Sequence, residues 1–337
     1  MDFEIIKGLV SIITPCFNGE KLIFRLLDSV LKQDYQQIEM VVVDDGSTDK
    51  SKDVILSYVE KFTKRGYNLY YLYQSNSGQA SAINQALPLA KGEFITWPDC
   101  DDFYTCSDSI AKLVNALSSY EDVGMVRTLG TYIDEKTLQP LGWNLKFNSL
   151  DNAFYSILTS GFCAVPICYM AKASAINNAI PNRHIYADER PQNIQMFEPL
   201  TYFFKCVDVG ESLVDILVRS NSDSHSQKSI SQQLEDLDGY IRIHMNTLDG
   251  MDISNEKKDA YKQVVRSWIG NEKLKLCISM YDKEQACRVH SELKLWKVSI
   301  SKKDEAMYQI LRIYPGLLKF LKKIYKPKIR NYHPIHD

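Results

Sequence analysis

The sequence predicts an open α/β fold with a mostly parallel central sheet, followed by a region that is helical only. Three observations carry that expectation. β-rich apolar runs alternate with helical periodicities at roughly thirty residues per unit, the pattern of a parallel sheet covered on both faces. Polar and acidic residues collect just after the first, second and fourth runs, which in such a fold share one rim. Beyond a serine-rich stretch the strand pattern stops and helical spacing alone continues.

Taken in order, Leu9 to Thr14 is the first strand, halted by Pro15. Ile23, Leu26, Leu27 and Val30 are spaced as one face of a helix. Ile38 to Val43 is the second strand and runs into Asp44-Asp45-Gly46-Ser47. Thr48 or Asp49 is placed to cap the next helix, whose stripe is Ile55, Tyr58, Val59 and Phe62 and which Gly66 closes. Leu69 to Tyr73 is the third strand. Ser75 to Gly78 is a turn, followed by a small-residue helix through Ala82, Ile83 and Ala86. Glu93 to Trp97 is the fourth strand, and Ser107 caps a helix carrying Ile110, Leu113, Val114 and Leu117. Val123 to Val126 and Leu129 to Ile133 read as two more strands, and Ser149 to Leu158 as a helix. Asp188 to Lys205 reads as a loop entering a helix, and Glu211 to Val218 as a last strand. Six serines stand between Arg219 and Ser231. The expected organisation is therefore a catalytic-type α/β domain over 1–220, a flexible linker over 221–232 and a helical region over 233–337. In the last, Trp268, Leu276, Val289, Trp296 and Leu311 are expected to face inward.

Bulk properties narrow the function classes. The chain has 337 residues and a formal net charge of -2, so nothing draws it to nucleic acid as a whole. Its eight cysteines are scattered, with no Cys-x-x-Cys pair and no histidine at zinc-site spacing. They read as free thiols in a reducing cytoplasm. No signal peptide pattern opens the sequence, and no run approaches the roughly 18 apolar residues of a membrane-spanning helix.

The stretch Trp97-Pro98-Asp99-Cys100-Asp101-Asp102 puts three carboxylates at the end of a buried strand. Crowded carboxylates raise one another's pKa unless a cation neutralises them. A hard divalent ion bound through one or two of them, with phosphate oxygens completing its shell, resolves the crowding. A solvated acidic turn capping the next helix fits the triplet equally well. The acidic and polar residues after strands one and two, on the same rim, favour the cation reading. Other nucleotide chemistries are excluded by motif. The turn after strand one is Pro15-Cys16-Phe17-Asn18-Gly19-Glu20, not Gly-x-Gly-x-x-Gly, and neither a Gly-x-x-x-x-Gly-Lys-Ser/Thr loop nor a Gly-x-Ser-x-Gly elbow occurs.

Five ordered segments together resemble glycosyltransferase family two: Thr14 to Glu20, Val41 to Asp49, Asn76 to Gly78, Ala82 to Ala86, and Gly92 to Ile95 leading to Asp99-Cys100-Asp101-Asp102. The resemblance spans about residues 8 to 220 and implies a GT-A fold and inverting transfer from a nucleotide-activated sugar, a UDP-sugar being favoured. By that resemblance Thr14, Pro15, Phe17, Asn18 and Glu20 lie beside the nucleotide, and Asp44 or Asp45 accepts from its base. Gly78 lets the backbone approach, Asn84 belongs to the same lining, and Asp99, Cys100 and Asp101 form the family's Asp-x-Asp signature. The implied cofactor is Mn2+ or Mg2+, with Asp101, Asp99 and Asp102 as ligand candidates and His225 in the serine-rich loop as a further one. A solvent-exposed histidine accounts for His225 equally well. The family's general base is a carboxylate, usually Asp, early in a late helix. Glu198 falls at that place as a Glu-for-Asp departure, with Asp188 and Glu189 upstream also in play. The implied acceptor is a glycan or lipid-linked sugar, in the manner of cytoplasmic enzymes that build surface polysaccharides. A sugar- or nucleotide-binding scaffold that kept the fold without activity is the alternative.

Near the end, Leu317, Leu318, Phe320, Leu321, Ile324 and Tyr325 interleave with Lys319, Lys322, Lys323 and Lys326. Such a basic amphipathic helix can lie on an anionic membrane surface. A terminal helix docked on its own domain fits the pattern as well.

Overall fold

The computed structural model describes residues 3–144, 152–159, 165–187, 192–219 and 228–317. These fall into two compact units. One runs to Phe154 and resumes from Val165 to Arg219; the other holds Tyr155 to Thr159 and everything from Lys228 onward.

The first unit is built on one nine-stranded sheet. Its strands are β1 (Ile6–Cys16), β2 (Ile38–Asp45), β3 (Asn68–Gln74), β4 (Gly92–Thr96), β5 (Phe103–Tyr104), β6 (Val123–Asp134), β7 (Pro140–Asn144), β8 (Tyr169–Lys172) and β9 (Lys205–Val218). The order is β3-β2-β1-β4-β8-β6-β9-β5, with β7 on β6. β1, β2, β3 and β4 are mutually parallel, so their C-terminal ends share a rim. Every residue of β2 is buried, as expected of a central parallel strand covered on both faces. Helices α1 (Ile23–Leu31), α2 (Ser51–Leu56), α3 (Val59–Arg65), α4 (Gln79–Ala86) and α5 (Ser109–Ser118) connect the strands up to β6. α6 (Ala153–Leu158), α7 (Ala173–Ala179) and α8 (Gln192–Phe203) follow.

Several sequence expectations need correction. The helix expected over 49 to 66 is two, α2 and α3, which meet at Ser57 and Tyr58. Neither Thr48 nor Asp49 caps it from its N-cap position, which Lys50 occupies without a side-chain bond; the Asp49 carboxylate accepts instead from the Ser51 N–H at 2.9 Å. Likewise Asp108, not Ser107, precedes α5, and the Ser107 hydroxyl donates to Asp34. The two strands expected over 123 to 133 are one, β6. The late helix ends at Phe203, and β9 begins at Lys205, earlier than the apolar run suggested, because β6 supplies a parallel partner from Val123 onward.

The second unit is helical. α9 (Ile230–Gly250), α10 (Asn255–Ser279), α11 (Lys283–Leu295) and α12 (Lys302–Ile313) start at Ser229, Ser254, Asp282 and Ser301, whose side chains accept from the third N–H of each helix. Ser229 and Gln232 form a full capping box. The core joins Leu234, Leu274, Leu276, Val289, Leu293 and Leu311. Trp296 packs against it while part-exposed. Trp268, expected to face inward, is only half-buried and lines a cavity.

Candidate functional site

The shared rim of the parallel strands gathers most of the predicted residues. β1 delivers Thr14, Pro15 and Cys16, all buried, and then an exposed Phe17 and Asn18. Asn18 has a left-handed φ of 50°, a conformation asparagine tolerates. Its Oδ1 accepts from the Thr48 N–H at 2.9 Å, and its own N–H donates to Ser47 Oγ at 2.9 Å. The Glu20 N–H donates to Asp49 at 3.0 Å. Asn18 and Glu20 thus tie the loop after β1 to the loop after β2. Thr14 is fully buried, so its side chain does not reach the solvent-facing rim and only its backbone borders it.

The two aspartates that end β2 do different work. Asp44 accepts from the Ser47 N–H at 2.8 Å and from the Tyr71 hydroxyl at 2.8 Å. Loss of hydration, then that bond, push the Tyr71 phenol up from its ordinary range. Asp45 accepts from Gln74 Nε2 at 2.6 Å and from the Ser77 and Gly78 N–H groups at 2.8 and 2.9 Å. It therefore pins the turn after β3 to the end of β2. Gly46 and Gly78 make that possible. Both have positive φ, and a Cβ on Gly46 would come within 2.6 Å of the Asn76 nitrogen.

The acidic loop after β4 lies on the same rim. Asp99 accepts from Gln79 Nε2 at 3.4 Å. Asp102 is buried, and its Oδ1 accepts from the Leu217 N–H at 3.0 Å, an anchor that follows from the antiparallel β5–β9 pairing. The same pairing brings Arg219, just past β9, to 2.8 Å from the Asp101 carboxylate. Asp99 and Asp101 keep part of their surface open while protein packs densely about their carboxyls. Lost hydration, then Asp101, raise Asp99 to about 7 against the opposing pull of Arg219. Lost hydration also raises Asp101, and with its two acidic neighbours raises Asp102 well above the carboxylate range. A hydrogen bond with the Cys16 thiol, then lost hydration, push the Cys100 thiol well up, so it is no thiolate.

This crowding tests the expected cation. Among the described residues no three His, Cys, Asp or Glu side chains gather as a cage. Asp102 is turned to its backbone partner. Asp99 and Asp101 remain as a two-carboxylate set, which suits a hard ion that takes its other ligands from phosphate and water.

Two predicted residues have roles other than lining. Asn84 grips Ile185 from both sides, Oδ1 accepting its N–H at 2.8 Å and Nδ2 donating to its carbonyl at 2.7 Å. It fixes the chain three residues before Asp188. Glu198 does not start a helix: it is the seventh residue of α8, wholly buried, with Pro199 inside the helix rather than in its first turn. The neighbouring Phe197 ring packs on Trp97 at 5.4 Å and on Tyr169 at 4.4 Å. α8 is thereby fastened to the strand end that leads to Asp99. Asp188, Glu189 and His225, residues 221–227 of the linker expected over 221–232, and the tail beyond Leu317 lie outside the described residues. Sequence reading missed Arg219, Gln79, Tyr71 and Gln74. Tyr71 is part-buried within β3 and Gln74 buried at its end, and both meet partners on β2.

The profile of Glycosyl transferase family 2 matches residues 11–176. TuaG of Bacillus subtilis, named for teichuronic acid biosynthesis, is 42% identical over 28% of this chain and 37% of its own length. The matched stretch spans 38%, 41% and 30% of three further curated relatives, glycosyltransferases from Rickettsia species. Among solved structures, S. aureus TarS 1-349 in complex with UDP-GlcNAc overlays with a TM-score of 0.59 at 18% identity, covering 95% of this chain and 93% of that one. A mannosyltransferase of Pyrobaculum calidifontis, in complex with GDP-Man and Mn2+, overlays with a TM-score of 0.51 at 16% identity over 96% and 90%. At that identity the two structures speak for the fold, which is GT-A. Residues 11–176, which build most of the rim, thus match the Glycosyl transferase family 2 model.

Proposed function

We propose that the protein is an inverting, metal-dependent glycosyltransferase that moves a sugar from a nucleotide-sugar donor, a UDP-sugar foremost, to a hydroxyl of a glycan or lipid-linked acceptor. The carrying observation is the rim: the turn pinned by Asp45 and the crowded Asp99–Asp101 pair stand at the same end of one parallel sheet, on either side of the end of β1. The first suits a base and ribose, the second the diphosphate and its cation.

In this reading the acceptor oxygen forms a bond to the anomeric carbon as the bond from that carbon to the diphosphate oxygen breaks. The electron pair leaves with the nucleoside diphosphate, and the acceptor proton passes to a carboxylate. Glu198 is the candidate for that carboxylate, and Asp188 and Glu189 are the others. Support for Glu198 is its burial one residue from the ring that packs on Trp97. A divalent ion, when bound, supplies charge neutralisation at the leaving diphosphate. Asp99 and Asp101 would hold it, and Arg219 would add positive charge once Asp101 turns to the ion. Asn84 holds the segment that leads to Asp188 and Glu189. A role in surface polysaccharide synthesis is supported by the name of TuaG, and the basic tail would bring the protein to an anionic membrane. Among the described residues no helix is long and apolar enough to cross one.

The test pairs donor binding with turnover. Purified protein with Mn2+ is offered UDP- and GDP-sugars, and nucleoside diphosphate release is followed with and without candidate glycan acceptors. Glu198→Gln is expected to bind UDP as wild type does and to lose about a hundred- to ten-thousandfold in transfer rate. Donor binding with no release under any condition would favour a sugar-binding scaffold. Full turnover in Glu198→Gln would move the base to Asp188 or Glu189.

A further inference from the structure

The second unit contains a cavity of about 520 Å³, walled by α10 from Ala260 to Lys275, by Thr159 and by the segment that enters α12. This is the size range of small-molecule sites. Its floor carries a charge that folding leaves half-satisfied. Glu272 is 3% exposed. Its Oε1 accepts from Lys275 Nζ at 2.9 Å, while its Oε2 is buried with no hydrogen-bond partner among the described residues. Leaving a buried carboxylate oxygen unmet is costly, so such an oxygen is expected to meet a donor in the working protein.

The neighbours set the character of that donor. Asn271 spends both its amide hydrogens on the Ser267 and Ser299 carbonyls, at 2.7 and 3.2 Å, which leaves Oδ1 as an acceptor. Gln263 Nε2 donates to the Trp296 carbonyl at 2.8 Å, leaving its oxygen and one hydrogen. Glu272, Asn271 and Gln263 therefore present mainly acceptors to the cavity, which the hydroxyl-bearing Ser267 and Ser301 and the Trp268 ring also line. Charge excludes both kinds of ion. Glu272 already has its counter-charge in Lys275, so a cationic ligand gains little. An anion would face Glu272 and the buried Asp304 carboxylate. What remains is an uncharged molecule rich in hydroxyl donors with an apolar face for an indole, a combination that sugars have.

We infer that the helical unit holds a binding site for a neutral saccharide, with Glu272, Asn271 and Gln263 as acceptors of its hydroxyls and Trp268 as the stacking wall. The inference goes beyond the transfer reaction and does not depend on which sugar the first unit moves.

The experiment titrates maltotriose, cellotriose and triacetylchitotriose into the full-length protein by calorimetry, with saturation-transfer NMR to detect the bound face. Spermidine and citrate serve as charged controls, and UDP affinity is measured in parallel. At least one trisaccharide is expected to bind. Glu272→Gln, which keeps the shape but not the charge, and Ala260→Trp, which adds bulk to an exposed part of the lining, should each weaken it about tenfold or more. UDP affinity should not move in either variant, and loss of UDP binding in the wild type would indict the transferase reading alone. The inference is overturned if none of the three sugars binds, if binding survives both variants undiminished, or if spermidine or citrate binds and Glu272→Gln removes that binding.

Discussion

Both units bury charge, and they treat it in opposite ways. In the helical unit Lys273 is 2% exposed, and its ammonium meets Asp238 at 2.6 Å and Glu292 at 2.9 Å, with the Trp296 ring 6.0 Å away. That desolvated charge is balanced by two carboxylates. In the α/β unit Asp99, Asp101 and Asp102 crowd one loop with Arg219 as their cation, and their pKa values rise in consequence. A balanced cluster serves the fold, because breaking it strands a charge. An unbalanced one is a cost that protonation or a bound cation relieves, which makes the loop a candidate site.

The largest effect is expected at the unbalanced end. Asp101→Ala should abolish transfer while leaving thermal unfolding nearly where it was, because the residue sits on a loop and its removal relieves like-charge crowding. Turnover near the wild-type rate, or a wild type that stays fully active in chelator, would end the metal assignment.

The balanced end should respond in reverse. Lys273→Met is expected to destabilise the protein by about 3 kcal/mol, the low end for breaking a buried pair because Asp238 and Glu292 keep contact with water. Urea unfolding would read the loss, and UDP affinity should stay unchanged. A variant as stable as the wild type would mean that the Lys273 cluster contributes nothing net, and the contrast between units would fail.

How much of this could be read beforehand follows from where the information lies. The rim was legible because strand ends carry their polar residues in sequence order: Asn18 and Glu20, Asp44 and Asp45, then Asp99 to Asp102. The caps at Ser229, Ser254, Asp282 and Ser301 are equally local but were not read, and the linker expected to run to 232 is cut short by α9, which Ser229 caps and which begins at Ile230. What else escaped is long-range. Arg219 meets Asp101 through the β5–β9 register, and Asn84 meets Ile185 across a hundred positions, so no window of sequence contains either pair. Glu198 was expected at a helix start because Pro199 usually marks one. The helix in fact begins at Gln192, and residues around Pro199 stay helical because packing by Phe197 against Trp97 and Tyr169 outweighs local preference.

A smaller effect is expected at Asp45, whose three bonds hold the turn after β3. Asp45→Ala should weaken UDP binding by about 1–3 kcal/mol by freeing Ser77 and Gly78, with the hydrogen exchange of those two amides rising in step. Calorimetry that finds unchanged affinity alongside faster exchange would confine Asp45 to the scaffold.

The finest distinction is in pH. Folding raises Asp99 from the ordinary carboxylate range to about 7, so in the window between those values the folded chain holds a proton that the unfolded chain has released. Stability from this group is thus greatest at low pH, falls as pH climbs through the window and levels off above about 7. Other groups superimpose their own slopes, so the informative quantity is the difference between wild type and Asp99→Asn, which cannot ionise. The variant should gain on the wild type by well under about 1.4 kcal/mol per pH unit across the window, the full-burial limit for one proton, because Asp99 is partly open to water. Above about pH 7 the gap should stay constant. Saturating Mn2+ should shrink it, since an ion on Asp99 and Asp101 lowers the cost of ionised Asp99 in the wild type and has less to hold in the variant. Urea unfolding of both proteins across pH, without and with Mn2+, measures each of these differences. A gap that does not vary with pH would show that Asp99 ionises normally in the folded chain and that the acidic loop carries no stored charge for a ligand to relieve.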